Sequence, residues 1–233
     1  MFASLVPLVA LMLLAGCDSE ESPLLDGLVE SEGGREEVSE ERIEELKRQI
    51  AANREIVEEK VEAAGELGVY YRMLGRAYMN RELYGPALDA FEEALEIETA
   101  NPRAFYQAAV AAGYLGNAAG TEEEAVPYFE KAERYYGRAV ELDPEYADAL
   151  YGLAVLYVFE MDRPEEALSL LDRAMDAGIS RARALMVKGR ALLELGRRQE
   201  AAEVYGQAAE RTTDDALRRR AEENRRQILG ESQ

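Results

Sequence analysis

One unit recurs four times in this chain, and that recurrence restricts the fold more than any other feature. A small residue returns at Gly75, Ala109, Ala154 and Gly189, separated by 34, 45 and 35 residues. Large side chains flank it: Tyr71, Leu74 and Tyr78 in the first stretch, Leu150, Leu153 and Tyr157 in the third, Leu185 and Leu192 in the fourth. The second stretch has Phe105, Ala108 and Ala112 at those places. Farther along each stretch come an alanine, a large residue and an alanine: Ala87-Phe91-Ala94, Ala132-Tyr136-Ala139, Ala167-Leu171-Ala174 and Ala201-Tyr205-Ala208. Steps of four and three put these residues on one helical face. Each unit therefore reads as two amphipathic helices, and a single pair buries its apolar face only against a neighbour. The expected fold is all-α, a stack of helix pairs in which small residues allow close approach and aromatics fill the gap between one pair and the next.

The long step carries an insertion. Ala125, Phe129, Ala132, Tyr136 and Ala139 continue one stripe, so the second helix of that unit is expected to gain about two turns and to project beyond its neighbours. Thr121 with Glu124 resembles a capping box at its start. Pro127 then either kinks the helix or marks a restart with proline in first position. Asn101-Pro102 and Asp143-Pro144 each combine a capping residue with a proline where units two and three should begin. Thr213, Asp214 and Asp215 open a last helix to about Leu229, arginine-rich on its exposed side, as the end of a stack requires.

The segment YYRMLGRAYMNRELYGPALDAFEEALEI, residues 70–97, resembles the tetratricopeptide repeat (TPR), a 34-residue helix-turn-helix unit. The resemblance implies a right-handed α-solenoid with repeats over 68–101, 102–143, 144–179 and 180–211 and a capping helix over 212–233. In this family the first helices line a groove that receives peptides. Matched position by position, the resemblance assigns to it Arg72, Arg76 and Asn80; Arg103, Tyr106, Val110 and Tyr114; Asp148, Tyr151, Val155 and Phe159; and Arg183, Met186, Arg190 and Glu194. Arginines at both ends of an aromatic middle imply an extended or acidic peptide segment as the ligand. The lysine and asparagine pattern by which chaperone-binding members grip a terminal carboxylate is not reproduced. An alternative stays open, in which Tyr106 and Tyr151 pack against the preceding helix or the leading helix fills part of the groove.

The N-terminus is of a different kind. Leu5 to Leu14 is an apolar run of about ten residues broken by Pro7, half of what a bilayer span needs and suited to a signal h-region. Leu14-Ala15-Gly16-Cys17 then resembles the lipobox of bacterial lipoproteins, which implies a signal peptide over 1–16 and lipidation of Cys17. The first four residues carry no lysine or arginine, a departure from the usual signal peptide that leaves the true translation start open. By this resemblance the protein is a membrane-anchored lipoprotein facing the periplasm, on the inner or the outer membrane. Residues 17–38, acidic and poor in large apolar side chains, read as a flexible tether. From Ser39, a plausible N-cap, Ile43, Leu46, Ile50, Val57 and Val61 mark a leading amphipathic helix over 39–67, ending near Gly65. Asn53 and Lys60 interrupt its heptads, which favours packing against its own domain over a coiled coil. Self-association through residues 39–65 stays open.

Composition removes most other functions. The 233 residues hold 47 acidic against 27 basic side chains, a net charge of −20, which argues against nucleic acid as a partner. The clusters Arg218-Arg219-Arg220 and Arg225-Arg226 read as a solvated helix face. With no histidine and one cysteine, Ser-His-Asp triads, histidine zinc sites and internal disulfides are excluded. No residues stand out as catalytic, and no metal site or cofactor is expected. The sequence therefore points to a non-catalytic membrane-tethered adaptor for protein–protein interaction. The alternatives are an accessory subunit of a solute-transport system, which should enclose an apolar cavity, and an enzyme working through carboxylates.

Overall fold

In a computed structural model the described residues are 40–230. The expected signal peptide, Cys17, the expected tether and the expected Ser39 cap lie outside the described residues. Within them are nine α-helices: α1 (Glu40–Met79), α2 (Tyr84–Ile97), α3 (Pro102–Ala118), α4 (Glu122–Leu142), α5 (Ala147–Phe159), α6 (Pro164–Asp176), α7 (Arg181–Glu194), α8 (Arg198–Arg211) and α9 (Asp215–Leu229). The chain divides into two units, Met1–Glu55 and Ile56–Gln233, with the division falling inside α1. In the first, i,i+3 pairs Glu44–Lys47 and Glu45–Arg48 brace the helix; each is worth a few tenths of a kcal/mol at such exposure.

α1 departs from the sequence reading in two ways. It does not end near Gly65 but runs on to Met79, so the leading helix and the first helix of the first repeat are continuous. Open space surrounds Gly65, and its neighbours Glu62, Ala63, Ala64, Glu66 and Leu67 favour the helix enough to outweigh the roughly 1 kcal/mol a glycine costs. Within the second unit the apolar stripe expected to pack against the domain is exposed at Val57 and Val61, the latter at 66%. The cause is length. α2 has only 14 residues, about 21 Å, and its end reaches Gly68, where Ile97 and Glu98 make contact. Of the residues of α1, only Gly68 and Gly75 are buried.

The recurring contact of the second unit is an aromatic ring laid on a glycine. Phe91 of α2 lies on Gly75 of α1, Phe129 of α4 on Gly116 of α3, and Tyr205 of α8 on Gly189 of α7. These rings sit within a helix pair, where the sequence reading put aromatics between pairs. Tyr136 of α4 does bridge pairs, lying on Gly152 of α5. A Cβ at Gly75 would stand 2.5 Å from the Phe91 ring, so this approach admits no side chain. Among the described residues Phe91, Leu150 and Leu171 are the largest fully buried side chains.

The insertion lengthens both helices of its pair, not the second alone. α4 has 21 residues against 13 or 14 in α2, α6 and α8, and α3 has 17 against 13 in α5 and 14 in α7. The extra turns carry their own ring-on-glycine contact, Phe129 on Gly116. Thr121 caps α4, its hydroxyl accepting from Glu124 N at 3.2 Å, and Glu124 accepts from Gly120 N at 3.1 Å. Pro127 lies inside this unbroken helix, so the restart is not realised. Its missing N–H leaves the Glu123 carbonyl without its helical donor. Pro127→Ala is therefore expected to raise stability by about 1–3 kcal/mol, read as a higher urea midpoint with slower amide exchange in the first turns of α4.

The caps divide likewise. Asn101 accepts from Arg103 N and Ala104 N with Pro102 first in α3, as expected, and Asp214 accepts from Ala216 N and Leu217 N at the head of α9. Asp143-Pro144 instead form the turn before α5, with Asp143 Oδ1 accepting from Glu145 N at 3.1 Å; the helix starts at Ala147. Polar clamps tie the stack. Glu92 of α2 accepts from Lys131 Nζ and Tyr135 Oη of α4, both at 2.7 Å. Glu133 of α4 accepts from Tyr157 Oη at 2.9 Å and from Arg163, whose guanidinium lies 4.1 Å from the Tyr157 ring centroid.

Tyr157 makes this clamp sensitive to alkali. Burial and the Glu133 carboxylate push its phenol up to about 12, whereas in the unfolded chain it loses its proton near 10. The stabilisation is complete below pH 10 and disappears as the pH rises to about 12, because only the unfolded form releases the proton in that window. Urea midpoints should fall from pH 10 to 12, and Tyr157→Phe should lessen that fall without abolishing it, because burial raises the phenols of Tyr135 and Tyr136 as well.

Candidate functional site

The first helices α3, α5 and α7 touch in succession and form one face of the second unit. The residues assigned to the groove from the sequence meet different fates. Arg72 turns towards α2, bonded to Glu98 at 2.9 Å with its side chain 17% exposed; it is fixed in the α1–α2 seam. Arg76 and Arg103 are exposed and Val110 is half-buried. Tyr106 is half-buried in a ring cluster, its centroid 6.0 Å from Tyr136 and 5.3 Å from Tyr146. Burial raises the phenols of Tyr106, Tyr136 and Tyr146, and neighbouring Asp148 adds to this at Tyr106. Tyr114 stacks on Tyr84 of α2 at 4.7 Å. In this part of the face the aromatics serve largely to pack the repeats.

Six others gather in one open cleft of about 620 Å³. Tyr151, Val155 and Phe159 of α5 form one wall, at steps of four that keep them on one side of the helix. Arg183, Met186 and Arg190 of α7 form the floor with Val187 and Leu193. Arg183 lies over the Tyr151 ring at 5.1 Å, so α5 and α7 are level at their starts. Tyr205 of α8 closes the bottom. Burial raises its phenol, while the Asn224 amide and Arg190 oppose the rise.

The second wall was not anticipated. It is α9, which presents Leu217, Arg220, Asn224, Gln227 and Ile228 to the cleft. This helix lies antiparallel to α8: Arg198 at the start of α8 donates to the Ile228 carbonyl at 3.3 Å, and Arg225 approaches Gly206. Its arginine content suggested a solvated cap, and many of its residues are solvated. The positions 217, 220, 224 and 228 nonetheless share a face at steps of three and four, and that spacing was the available signal.

From Arg183 to Leu193 the floor is roughly 15 Å long, which accommodates about four or five residues of extended chain. Apolar side chains at its edges and hydrogen-bond donors between them suit binding of a peptide more than bond-making.

Comparison with known proteins agrees with this architecture. A family model described as anaphase-promoting complex, cyclosome, subunit 3 matches residues 128–208. A TPR repeat-containing protein of Borreliella burgdorferi is 26% identical over 215 residues, covering 91% of this chain and 92% of that one. A thermophilic TPR protein of Thermus thermophilus superposes with a TM-score of 0.57 at 21% identity, over 66% of this chain and 79% of that one. YrrB, a TPR protein with an unusual peptide-binding site, gives 0.56 at 24% identity, over 78% and 85%. The recurring unit, the stacked helix pairs and these likenesses together show that the chain has the fold of the tetratricopeptide-repeat proteins.

Proposed function

We propose that this protein is a non-catalytic adaptor that holds an extended segment of another protein in the cleft of α5, α7, α8 and α9, and that it works in the bacterial cell envelope, tethered to a membrane by acyl chains on Cys17. The observation that carries the reading is the cleft itself: six residues assigned to a peptide groove from the sequence line one opening that combines an aromatic and apolar wall on α5 with hydrogen-bond donors on α7 and α9. The likeness to YrrB, whose description names a peptide-binding site, supports it. Among the described residues no helix is long and apolar enough to cross a membrane, so in this reading attachment rests on lipid, and multiple acyl chains hold far more firmly than one.

A transport subunit that shelters a small ligand would require an enclosed apolar cavity, and the cleft is open and bordered by arginines; the adaptor reading is therefore preferred. The test is crosslinking and pull-down from membranes with the native N-terminus, comparing the unaltered chain with Tyr151→Ala plus Phe159→Ala. A partner recovered by the first and lost by the second supports the adaptor. Equal recovery by both removes the cleft from the proposal, and release of the unaltered protein in the soluble fraction removes the tether.

A further inference from the structure

The charge of the cleft opposes that of the protein. In a chain of net charge −20, the charged side chains lining it, among the described residues, are three arginines and no carboxylate. The three are not equivalent. Arg190 donates to Glu194 at 2.6 Å, which balances its charge. Arg183 rests on the Tyr151 ring and keeps its charge. Arg220, on the opposite wall, is exposed and has no ion pair or hydrogen bond among the described residues. Two unbalanced guanidinium groups thus face one opening, each with a planar fork that matches a carboxylate. The far end is apolar: α5, α7 and α9 run in one direction, so Phe159, Leu193 and Ile228, late in each, fall together there. Arg220 and Ile228 stand roughly 12 Å apart along α9, the span of three or four residues of extended chain.

We propose, resting on the adaptor reading, that the cleft selects a protein segment with a carboxylate three or four residues from a large apolar side chain. Arg220 and Arg183 take the carboxylate, and the end formed by Phe159, Leu193 and Ile228 takes the apolar group. A free anion would satisfy the arginines alone, and an uncharged peptide the apolar end alone; the pairing at this spacing is what a single acidic segment supplies.

Fluorescence anisotropy on the full chain tests this with three fluorescein-labelled peptides: one with Glu three residues before Phe, a twin with Gln for Glu, and a twin with Ala for Phe. At low salt the first should bind at least ten-fold tighter than either twin, and its advantage over the Gln twin should shrink at high salt. Arg220→Gln should reduce that advantage below three-fold, whereas Arg219→Gln, the same charge change outside the cleft, should leave it intact. Equal binding of the Glu and Gln peptides overturns the selection and leaves the adaptor standing. Binding of none of the three overturns both. Equal effects of the two arginine variants reduce the preference to overall charge and overturn the assignment. Arg220-dependent co-sedimentation with phosphatidylglycerol vesicles, without discrimination among peptides, would make the ligand a headgroup and overturn it too.

Discussion

Replacing Phe91 with alanine is expected to lower the unfolding free energy by about 3–5 kcal/mol, the cost of removing a fully buried aromatic ring and leaving a cavity. The ring is 1% exposed and rests directly on Gly75, so the loss falls on the α1–α2 seam. Gly75→Ala attacks the same contact from the other side. Its Cβ would stand 2.5 Å from the ring, an overpacking that costs about 1–3 kcal/mol against about 1 kcal/mol gained in helix propensity. Combined, the two changes should not add. With the ring gone the Cβ enters empty space, and Gly75→Ala should stabilise the Phe91→Ala protein by about 1 kcal/mol. Urea unfolding of the four proteins closes this cycle, and additive losses would mean that ring and glycine do not meet as described. Because a stack of repeats need not unfold in one step, far-UV dichroism and tyrosine fluorescence should be followed together.

The second large effect is on binding. Tyr151→Ala with Phe159→Ala should weaken capture of the proposed partner segment by about 3 kcal/mol, on the order of 100-fold, with a lower urea midpoint but the helices retained. Phe159 is 50% exposed and contributes little to the core, whereas Tyr151 is half-buried and packs against it, so stability must be measured beside binding. Each is an aromatic anchor at the edge of the cleft, the type of side chain that supplies most interface energy. Tyr151 also holds the Arg183 guanidinium over its ring, a contact worth about 0.5–1 kcal/mol at an exposed site. Titration of a labelled partner peptide, with dichroism to verify the helices, decides the matter: affinity within three-fold of the unaltered protein would show that the anchors lie elsewhere.

The fold was legible because each repeat must satisfy the same physical demand. A ring needs a glycine opposite it, and Gly75 and Gly189 recur at matching places in the first and last repeats; Asn101 and Asp214 cap their helices through their own side chains. What misled the reading was local punctuation weighed without its surroundings. Gly65 suggested a stop, yet nothing packs there and its neighbours sustain the helix. Pro144 suggested a helix start, yet Asp143 uses its oxygen on a turn. Pro127 left a kink or a restart open, and of the two the restart is not realised, since one helix runs from Glu122 to Leu142.

The site was half legible. Position matching found the two helices that point into the cleft but could not tell which arginine was already engaged: Arg72 meets Glu98 because α2 ends there, a fact of chain length and not of residue type. It also overlooked Arg220 and Ile228, since α9 follows the last repeat and has no position to match. Tyr106 and Tyr151 occupy corresponding places in successive repeats, but Tyr136 and Tyr146 crowd only the first.

The matched lengthening of α3 and α4 limits how this region can vary in evolution. Relative to neighbouring repeats α4 is longer by about two turns and α3 by about one, so the inserted residues fill complete turns and each stripe keeps its orientation. Insertions and deletions here should accordingly come in steps of about three, four or seven residues distributed over both helices of the pair. A length change of about one or two residues would rotate Phe129 away from Gly116 and send the pair out of phase with the repeats on either side.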